Sequence, residues 1–327
     1  MASFRYRSNR WQARVRRKGY PDETQSFATR LDAEKWARSI ESDIDRGQFV
    51  NVTEAQRTTL GDLISRYLAE VTPSMKGATE DSIRLKAIAR KPIAQWSMAN
   101  LSAARVAAYR DERLQEVSAG TVIRELAYLS AIINHGRREW GINVANPVQM
   151  VRKPQSPQAR GRVLSHEEIA TLLHALEPVG RRSHWTKPVV ELALATAMRR
   201  GELLSLRWEH VDLRAQTVFL PDTKNGEART VPLSSVAVQV LTALPHHISG
   251  MVFPVKALTL DAAFKRGLQR AGLKDVRFHD LRRTAITRMA ERLPNVIELA
   301  AVSGHKSLMV LKRYYHPKPQ DLALKLG

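Results

Sequence analysis

The first fifty residues begin with alternating apolar and basic positions, the period-2 pattern of strands that bury one face. The apolar positions of that parity are Phe4, Tyr6, Trp11, Ala13 and Val15. Residues 9–10 and 18–21 have the composition of turns, and residues 26–29 predict a third strand. A helical pattern over residues 33–46 follows, with Asp32 suited to cap it. We therefore expect a small three-stranded sheet with one helix packed on it.

Helical periodicity dominates the next hundred residues. Residues 51–58 are polar and indicate a linker. The apolar stripes then predict four helices, which begin at Thr59 and cover about 80–95, 102–116 and 119–139. Lysines and arginines recur between the stripes, so residues 59–150 are predicted to form a four-helix bundle with a basic face. A purely structural bundle has the same pattern, and periodicity alone does not separate the two interpretations.

A third region follows a second linker, residues 146–162, which is rich in proline and basic residues and contains no acid. Two short strands, 217–220 and 230–233, are predicted around a hairpin turn at Lys224. The rest of the region is helical in pattern and begins with a capping box at Ser165. Further helices are predicted over about 189–197, 202–207, 234–244, 259–271, 279–291 and 295–303. A last helix is predicted to begin after His305 and to carry Tyr314.

The expected fold class is therefore mainly α and multidomain. It combines the N-terminal three-stranded sheet and helix in residues 1–50, the four-helix bundle in 59–150, and a mixed, mainly α domain with a β-hairpin in 163–327.

Composition narrows the class of partner. The 327 residues include 52 Lys or Arg and 32 Asp or Glu, which gives a net charge of +20 and a pI of about 10.6. This balance predicts an extended polyanion as partner and favours nucleic acid, with a ribosomal or other structural basic protein as the alternative. The first twenty residues contain seven basic side chains and no acid, so we predict that they contact DNA phosphates or base edges. These residues are Arg5, Arg7, Arg10, Arg14, Arg16, Arg17 and Lys18.

The absence of cysteine excludes disulfides and thiolate metal sites. The N-terminus has no apolar signal-peptide region, and no apolar run reaches the length of a membrane span. We therefore expect a soluble, intracellular protein.

Three separated clusters contain the side chains that phosphoryl transfer needs, at residues 196–203, 278–284 and 303–316. Cutting and rejoining a DNA strand without ATP keeps the phosphodiester energy in a covalent bond to the protein, which a tyrosine can form. Two arginines can clamp the extra negative charge of the transition state, and Lys or His can protonate the leaving 5′-hydroxyl. No metal is needed when arginines carry the charge, so we expect no cofactor.

Each candidate residue has an ordinary interpretation by itself. A His and an Arg three residues apart form a surface pair more often than a site, and Lys224-Asn225-Gly226 is by default an exposed turn. Tyr314 and Tyr315 fit a core equally well. Only the ordered combination favours chemistry: Arg199 held by Glu202, Lys224 on a hairpin tip, His279 and Arg282 on one helical face with Asp280 orienting a neighbour, His305 after Gly304, and Tyr314.

This ordered set resembles the motifs of the tyrosine recombinases of the phage integrase type. That family has an Arg, a Lys on a β-hairpin, an HxxR pair, a Gly-His pair and a Tyr in an R-Y-x-H run. The matching stretches here are Thr196-Ala197-Met198-Arg199-Arg200-Gly201-Glu202, Thr223-Lys224-Asn225-Gly226, Arg229-Thr230-Val231-Pro232-Leu233, His279-Asp280-Leu281-Arg282, Gly304-His305 and Arg313-Tyr314-Tyr315-His316. Ala197 and Ser303 depart from the usual Gly and Leu, and neither departure removes a functional group. The family spacing of nine residues after His305 selects Tyr314 over Tyr315.

The resemblance implies a C-shaped clamp around DNA and a role for each catalytic candidate. The implied roles are nucleophile and 3′-phosphotyrosyl bond for Tyr314, stabilisation of the phosphorane for Arg199 and Arg282, protonation of the leaving oxygen for Lys224, acid/base exchange for His279, and a hydrogen bond to a non-bridging oxygen for His305. It also implies a homotetramer on two synapsed recombination sites and a DNA-bending accessory protein as a further partner. A C-terminal tail from Pro317 would contact a neighbouring subunit.

The resemblance also assigns the three regions and the biological outcome. Residues 1–50 look like an arm-type DNA-binding domain, 59–150 like a core-site-binding domain, and 163–327 like the catalytic domain. The implied function is integration, excision or inversion of a mobile DNA segment, in a cytoplasmic, nucleoid-associated protein encoded by a bacterium or a phage. A type IB topoisomerase-like enzyme, and a DNA-binding regulator that has lost catalysis, stay open as alternatives.

Overall fold

The computed structural model describes residues 2–20, 22–46, 52–156, 160–180, 182–222 and 227–315, together with 320, 323 and 326. The chain divides into two compact units, residues 1–159 and 160–327. The first unit contains two separate hydrophobic cores, one in the N-terminal sheet and one among the helices that follow. The proposed domain boundaries within it stay a prediction. Within the described ranges, every helix is too short or too polar to cross a bilayer.

The N-terminal region is an antiparallel sheet in the order β1-β2-β3 with one helix packed on it. Its elements are β1 (Ala2–Arg7), β2 (Arg10–Val15), β3 (Glu23–Phe27) and α1 (Arg30–Asp45). Val15 packs on Ala37 and Ile44 of α1, which confirms the predicted parity of the buried face. The predicted bounds of β3 and α1 were wrong, because Thr29 and not Asp32 caps the helix. The Thr29 hydroxyl accepts a hydrogen bond from Asp32 N at 3.2 Å, so β3 ends before Thr29.

The rest of the first unit consists of helices around one core. They are α2 (Val52–Arg57), α3 (Leu60–Glu70), α4 (Ala78–Ala89), α5 (Ala103–Glu116) and α6 (Ala119–Glu139), with 3-10 turns at Thr72–Ser74, Pro92–Gln95 and Pro147–Met150. The prediction of a linker at 51–58 was wrong. Ala55 lies in the core with 1% exposure, and its carbonyl accepts a hydrogen bond from Ala99 N at 3.0 Å, so this polar segment is held by tertiary contacts.

Two further boundaries in this unit differ from prediction. The helix expected over 80–95 ends at Ala89, and Pro92 begins a separate 3-10 turn. The linker expected from residue 146 begins later, since Val148 and Val151 still belong to the core.

The second unit surrounds a larger core that includes Leu192, Phe253 and Leu281. Its elements are α7 (His166–Ala175), α8 (Thr186–Thr196), α9 (Arg200–Leu204), β4 (Val211–Asp212), β5 (Thr217–Leu220), β6 (Arg229–Pro232), α10 (Ser235–Thr242), α11 (Ala257–Arg270), α12 (Phe278–Arg292), α13 (Val296–Ser303) and α14 (Leu308–Leu311), with 3-10 turns at Trp208–His210 and Lys312–Tyr314. The strands pair antiparallel in the order β4-β5-β6. The predicted capping box is confirmed, since Ser165 and Glu168 exchange hydrogen bonds of 3.0 and 3.2 Å.

The second unit differs from the predicted pattern at one strand and one helix. Strand β4 was not predicted, because two residues carry no periodicity. The helix expected to carry the tyrosine was wrong, since α14 ends at Leu311 and Tyr314 lies in the 3-10 turn that follows. The hairpin turn with Lys224, and most of the tail from Pro317, lie outside the described residues.

Candidate active site

Arg199 lies in the sharp turn between α8 and α9. Ala197 ends α8 with a left-handed φ of 54°, and Arg199 returns to extended backbone as the N-cap of α9. Its N–H donates to Glu202 Oε2 at 2.8 Å, and its Nη1 donates to Oε1 at 2.7 Å. One carboxylate therefore fixes both the backbone and the guanidinium of Arg199, as the three-residue spacing predicts. The left-handed alanine costs on the order of 1 kcal/mol, which a glycine would avoid.

Glu202 also holds a second arginine that the sequence did not single out as a site residue. Arg229, at the start of β6, donates from Nη2 to Glu202 Oε2 at 2.9 Å and from Nη1 to the Val302 carbonyl at 2.7 Å. Burial alone would raise the pKa of Glu202, but the Arg199 N–H and the charges of Arg229 and Arg199 bring it below its usual range. The buried carboxylate is therefore ionised and organises two cations.

Arg282 is the buried cation of the site, with 4% of its surface exposed. Its Nη1 donates to the Ala197 carbonyl at 2.5 Å and its Nη2 to the Ser303 carbonyl at 2.7 Å. Burial, followed by repulsion from Arg199, lowers the pKa of Arg282 to about 10. The side chain is therefore charged at neutral pH and oriented by carbonyls at the ends of two helices.

The end of α13 brings these arginines to the Gly-His pair. Gly304 has a φ of 68°, and its N–H and that of His305 both donate to the Ala300 carbonyl, at 2.8 and 3.3 Å. The Gly304 carbonyl in turn accepts from Arg199 Nη2 at 3.4 Å. A Cβ on Gly304 would meet Arg229 Nε at 2.7 Å and its Cζ at 2.8 Å, so this position has room only for glycine.

We expect Gly304→Ala to destabilise the fold by about 2–5 kcal/mol, the sum of a left-handed alanine and the displacement of Arg229. Gly272→Ala is the matched control, because Gly272 has the same φ of 68° and nothing within 4 Å of an added Cβ. That control is expected to lose only about 1–2 kcal/mol. Urea unfolding measures both, and equal losses would show that the contact with Arg229 carries no cost.

His305 lies beside this arginine cluster and is half-buried. Burial, followed by the charges of Arg282, Arg199 and Arg229, lowers the pKa of His305 to about 4. The imidazole is therefore neutral at neutral pH. Its ring centroid lies 6.4 Å from that of Tyr314, which places the candidate nucleophile at the same site.

Tyr314 and Tyr315 differ in what they contact. Both pack against a small core that includes Ala197 and Leu311. The Cζ of Arg283 lies 5.4 Å from the centre of the Tyr314 ring, and no described residue forms a hydrogen bond with the Tyr314 hydroxyl. The Tyr315 hydroxyl, in contrast, donates to the Leu293 carbonyl at 2.8 Å, and burial raises the pKa of this tyrosine. The two hydroxyls therefore differ, since that of Tyr315 is bonded to the backbone and that of Tyr314 has no hydrogen bond from the described residues.

Of the remaining catalytic candidates, the structure describes His279 and does not describe Lys224. His279 is exposed on α12, one turn before Arg282, and Lys224 lies outside the described residues. Asp280 was predicted to orient a neighbouring residue, and its carboxylate engages the start of its own helix and Arg160. It accepts from Arg277 N at 2.8 Å at the start of α12 and pairs with Arg160 at 3.1 Å. Within the described ranges, no group of three His, Cys, Asp or Glu side chains could hold a metal.

The seven basic residues of the N-terminal region are all exposed. Strand register places Arg5, Arg7, Arg10 and Arg14 on the sheet face opposite the core. Arg14 and Arg16 share the carboxylate of Asp22 at 2.6 and 2.7 Å. Their hydrogen bonds lower the pKa of Asp22, with Arg16 the larger contributor. Arg17 pairs with Asp45 at 2.5 Å, and Lys18 lies in the turn after β2.

Sequence reasoning missed Arg229, Arg283 and Ser303 as parts of the site. Arg229 and Arg283 contact residues that only the fold brings close. Ser303 contacts His305 two residues later, through a side-chain hydrogen bond that no periodicity indicates. The one available signal was motif membership, since Arg229 opens the Arg-Thr-Val-Pro-Leu run and Arg283 follows the HxxR pair.

Comparison with known proteins gives consistent family matches. The sequence pattern of the phage integrase family matches residues 162–321, and that of the phage integrase N-terminal domain matches residues 56–154. A putative integrase/recombinase of Haemophilus influenzae is 35% identical over 97% of this chain and 87% of its own length. A shufflon-specific DNA recombinase of Escherichia coli is 39% identical over 83% of this chain and 72% of its own length. A lambda integrase tetramer bound to a Holliday junction shares the fold, with a TM-score of 0.67 at 19% identity over 96% of this chain and 94% of the lambda chain.

Proposed function

The chain belongs to the phage integrase family and is a tyrosine site-specific recombinase, and from this premise we propose that Tyr314 is its nucleophile. One observation carries the assignment. Arg199, Arg282 and His305 meet at the end of α13, and the Tyr314 ring lies beside His305. Two fixed guanidiniums next to a phenol are what in-line attack on a phosphodiester requires.

In the proposed reaction, Tyr314 Oη bonds to the scissile phosphorus and its phenol proton passes to a base. The bond from phosphorus to O5′ breaks, and the leaving oxygen takes a proton from Lys224. His279 exchanges protons on the side of Tyr314. The products are a 3′-phosphotyrosyl bond and a free 5′-hydroxyl, and attack by the 5′-hydroxyl of a partner strand reverses the step and exchanges strands.

Arg199 and Arg282 supply the electrostatic part of this mechanism. Each is already held by acceptors of the protein, Arg199 by Glu202 and Arg282 by two carbonyls. Their positive charges are therefore in place before a phosphate arrives, and little reorganisation is needed as charge grows on its non-bridging oxygens. We propose that His305 contacts one of those oxygens.

We place the DNA duplex against the basic surfaces of the chain, with residues 1–50 on an arm-type site and residues 59–150 and 163–327 around the core site. Four protomers on two synapsed sites are proposed by likeness to the lambda integrase tetramer on a Holliday junction. We further propose that a DNA-bending accessory protein takes part and that the protein is located on the bacterial nucleoid. A tail from Pro317 is proposed to contact a neighbouring subunit.

Trapping on nicked DNA tests this function. A binding site is first selected from a random duplex library with the full-length chain, and a nick is then placed at each position of that site. A nick just beyond the scissile phosphate releases the 5′-hydroxyl fragment, so the covalent adduct accumulates and peptide mapping locates it. We expect one adduct, on Tyr314, and a chain that binds DNA without any adduct would support the regulator instead.

A second assay separates the recombinase from a type IB topoisomerase-like enzyme, which has the same chemistry. The recombinase is expected to leave a supercoiled plasmid without a selected site unrelaxed. Efficient relaxation of that plasmid by the monomeric chain would favour the topoisomerase.

The basic face of the N-terminal sheet gives a prediction of its own. The plot of log affinity against log salt has a negative slope. Changing Arg5, Arg7 and Arg10 together to glutamine is expected to make that slope less steep by about 3, roughly one unit for each lost phosphate contact. Arg14→Gln with Arg16→Gln is the contrast, because Asp22 already neutralises part of their charge. Fluorescence anisotropy over a salt series measures the slopes, and an unchanged slope in the triple variant would remove these arginines from the interface.

A further inference from the structure

Ser303 lies between two hydrogen-bond partners at the end of α13. It is fully buried, with 0% exposure. Its Oγ lies 2.6 Å from the Leu299 carbonyl oxygen and 2.8 Å from Nδ1 of His305. The hydroxyl therefore joins the backbone of the helix to the ring of a candidate active-site residue.

The proton count at Ser303 decides which nitrogen of His305 carries a hydrogen. A serine hydroxyl has one proton and a backbone carbonyl has none. The contact with Leu299 needs the hydroxyl proton, because two oxygens without a proton between them would repel at 2.6 Å. Nδ1 of His305 can then approach the same oxygen only as an N–H donor.

We propose that Ser303 is a positioning residue that holds His305 in the Nδ1–H form, so that Nε2 is the ring atom that takes up and releases a proton. Two states of the ring satisfy the Ser303 contact, the neutral Nδ1–H tautomer and the imidazolium. The neutral Nε2–H tautomer does not, because it would set a lone pair of Nδ1 against Ser303 Oγ while the hydroxyl proton is committed to Leu299.

This assignment deepens the proposed function and rests on it for its consequence. The ring faces Arg282 from α12, Arg199 from the turn after α8, Arg229 from β6 and Arg313 after α14, with Tyr314 beside it. The neutral ring of the free protein thus presents a lone pair at Nε2 and no proton. When a DNA phosphate enters, its negative charge favours the imidazolium, so Nε2 takes up a proton from solvent, keeps it, and donates a hydrogen bond to a non-bridging oxygen. Contact between His305 and phosphate is therefore coupled to uptake of one proton.

The test reads the tautomer directly and needs no DNA. Two-bond and three-bond ¹H–¹⁵N correlations of the full-length chain, labelled at its histidines, distinguish the protonated nitrogen of a ring from the unprotonated one. Loss of one set of signals in His305→Gln assigns the ring. We expect a protonated Nδ1 and an unprotonated Nε2 for His305 at neutral pH. A ring protonated at Nε2 and unprotonated at Nδ1 in the wild-type chain would overturn the proposal.

Ser303→Ala tests whether the hydroxyl sets this state. Without it, Nδ1 loses its acceptor and the Nε2–H tautomer is expected to become populated. Ser65→Ala is the matched control, because Ser65 donates to the Gly61 carbonyl four residues earlier in α3 at 2.8 Å, the same local bond without a histidine. An unchanged tautomer in Ser303→Ala would overturn the role of Ser303. If that variant fails to fold, the wild-type spectrum still tests whether Nδ1 of His305 carries the proton. Since no DNA is present, failure of the proposed strand cleavage leaves this result unaffected.

Discussion

A Tyr314→Phe chain is expected to bind its DNA site with unchanged affinity and to form no covalent adduct. The substitution removes only the phenol oxygen and keeps the ring that packs on the small core beside α12 and α13. Loss of an attacking oxygen leaves binding and charge stabilisation intact, so adduct formation should fall by on the order of 10⁴-fold or more. Single-turnover cleavage of the nicked site, with binding measured in parallel, gives both numbers.

The neighbouring tyrosine supplies the control. Tyr315→Phe removes a hydroxyl whose hydrogen bond goes to the Leu293 carbonyl at 2.8 Å. It is expected to cost about 1 kcal/mol of unfolding free energy and to leave cleavage within a fewfold of wild type. An adduct that persists in Tyr314→Phe and disappears in Tyr315→Phe would show that the nucleophile has been assigned to the wrong member of the pair.

The elements best predicted from the sequence were those with strong local signals. Helix α6 has both predicted ends, and the capping box at Ser165 forms as expected. Helix α2 was missed because its sequence is polar, and only burial of Ala55 against the following helices explains it. The 3-10 turn at Tyr314 was missed because a helix signal beginning after His305 does not show where the helix ends.

The candidate site was predictable as a set of residues and not as a set of contacts. The resemblance named Arg199, Arg282, His305 and Tyr314, and the fold brings them to one place. It gave no hint that Glu202 would be shared with Arg229 or that Ser303 would contact His305, because these contacts depend on how α9, β6 and the end of α13 pack. The Glu202–Arg229 contact joins residues distant in sequence and is set by tertiary structure. The Ser303–His305 contact is local, but it depends on side-chain orientations that apolar periodicity does not encode.

Glu202→Gln is expected to have the second largest effect on strand cleavage, because one buried carboxylate holds two arginines of the site. The amide keeps the shape of the side chain but leaves Arg199 and Arg229 without their counter-charge. Breaking a buried pair by neutralising one partner costs about 3–5 kcal/mol. Cleavage should fall by on the order of 10²–10³-fold, as for loss of an electrostatic group that positions transition-state charge. Glu209→Gln is the control, because the Glu209 side chain is 62% exposed and forms exposed pairs with Arg207 and His210, so its loss should change stability by less than about 1 kcal/mol.

The pH dependence of stability distinguishes loss of this charge from loss of packing. The pKa of Glu202 is lower in the folded chain than in the unfolded one. The stabilisation that ionised Glu202 contributes is therefore fully present above its pKa in the unfolded chain, and it is lost as pH falls through its pKa in the folded chain. The wild-type chain should accordingly lose more stability than Glu202→Gln on acidification from neutral pH, so that the two unfolding free energies converge. A difference that stays constant across that range would mean that Glu202 acts through packing and not through its charge, and the electrostatic account of how Arg199 is held would then be wrong.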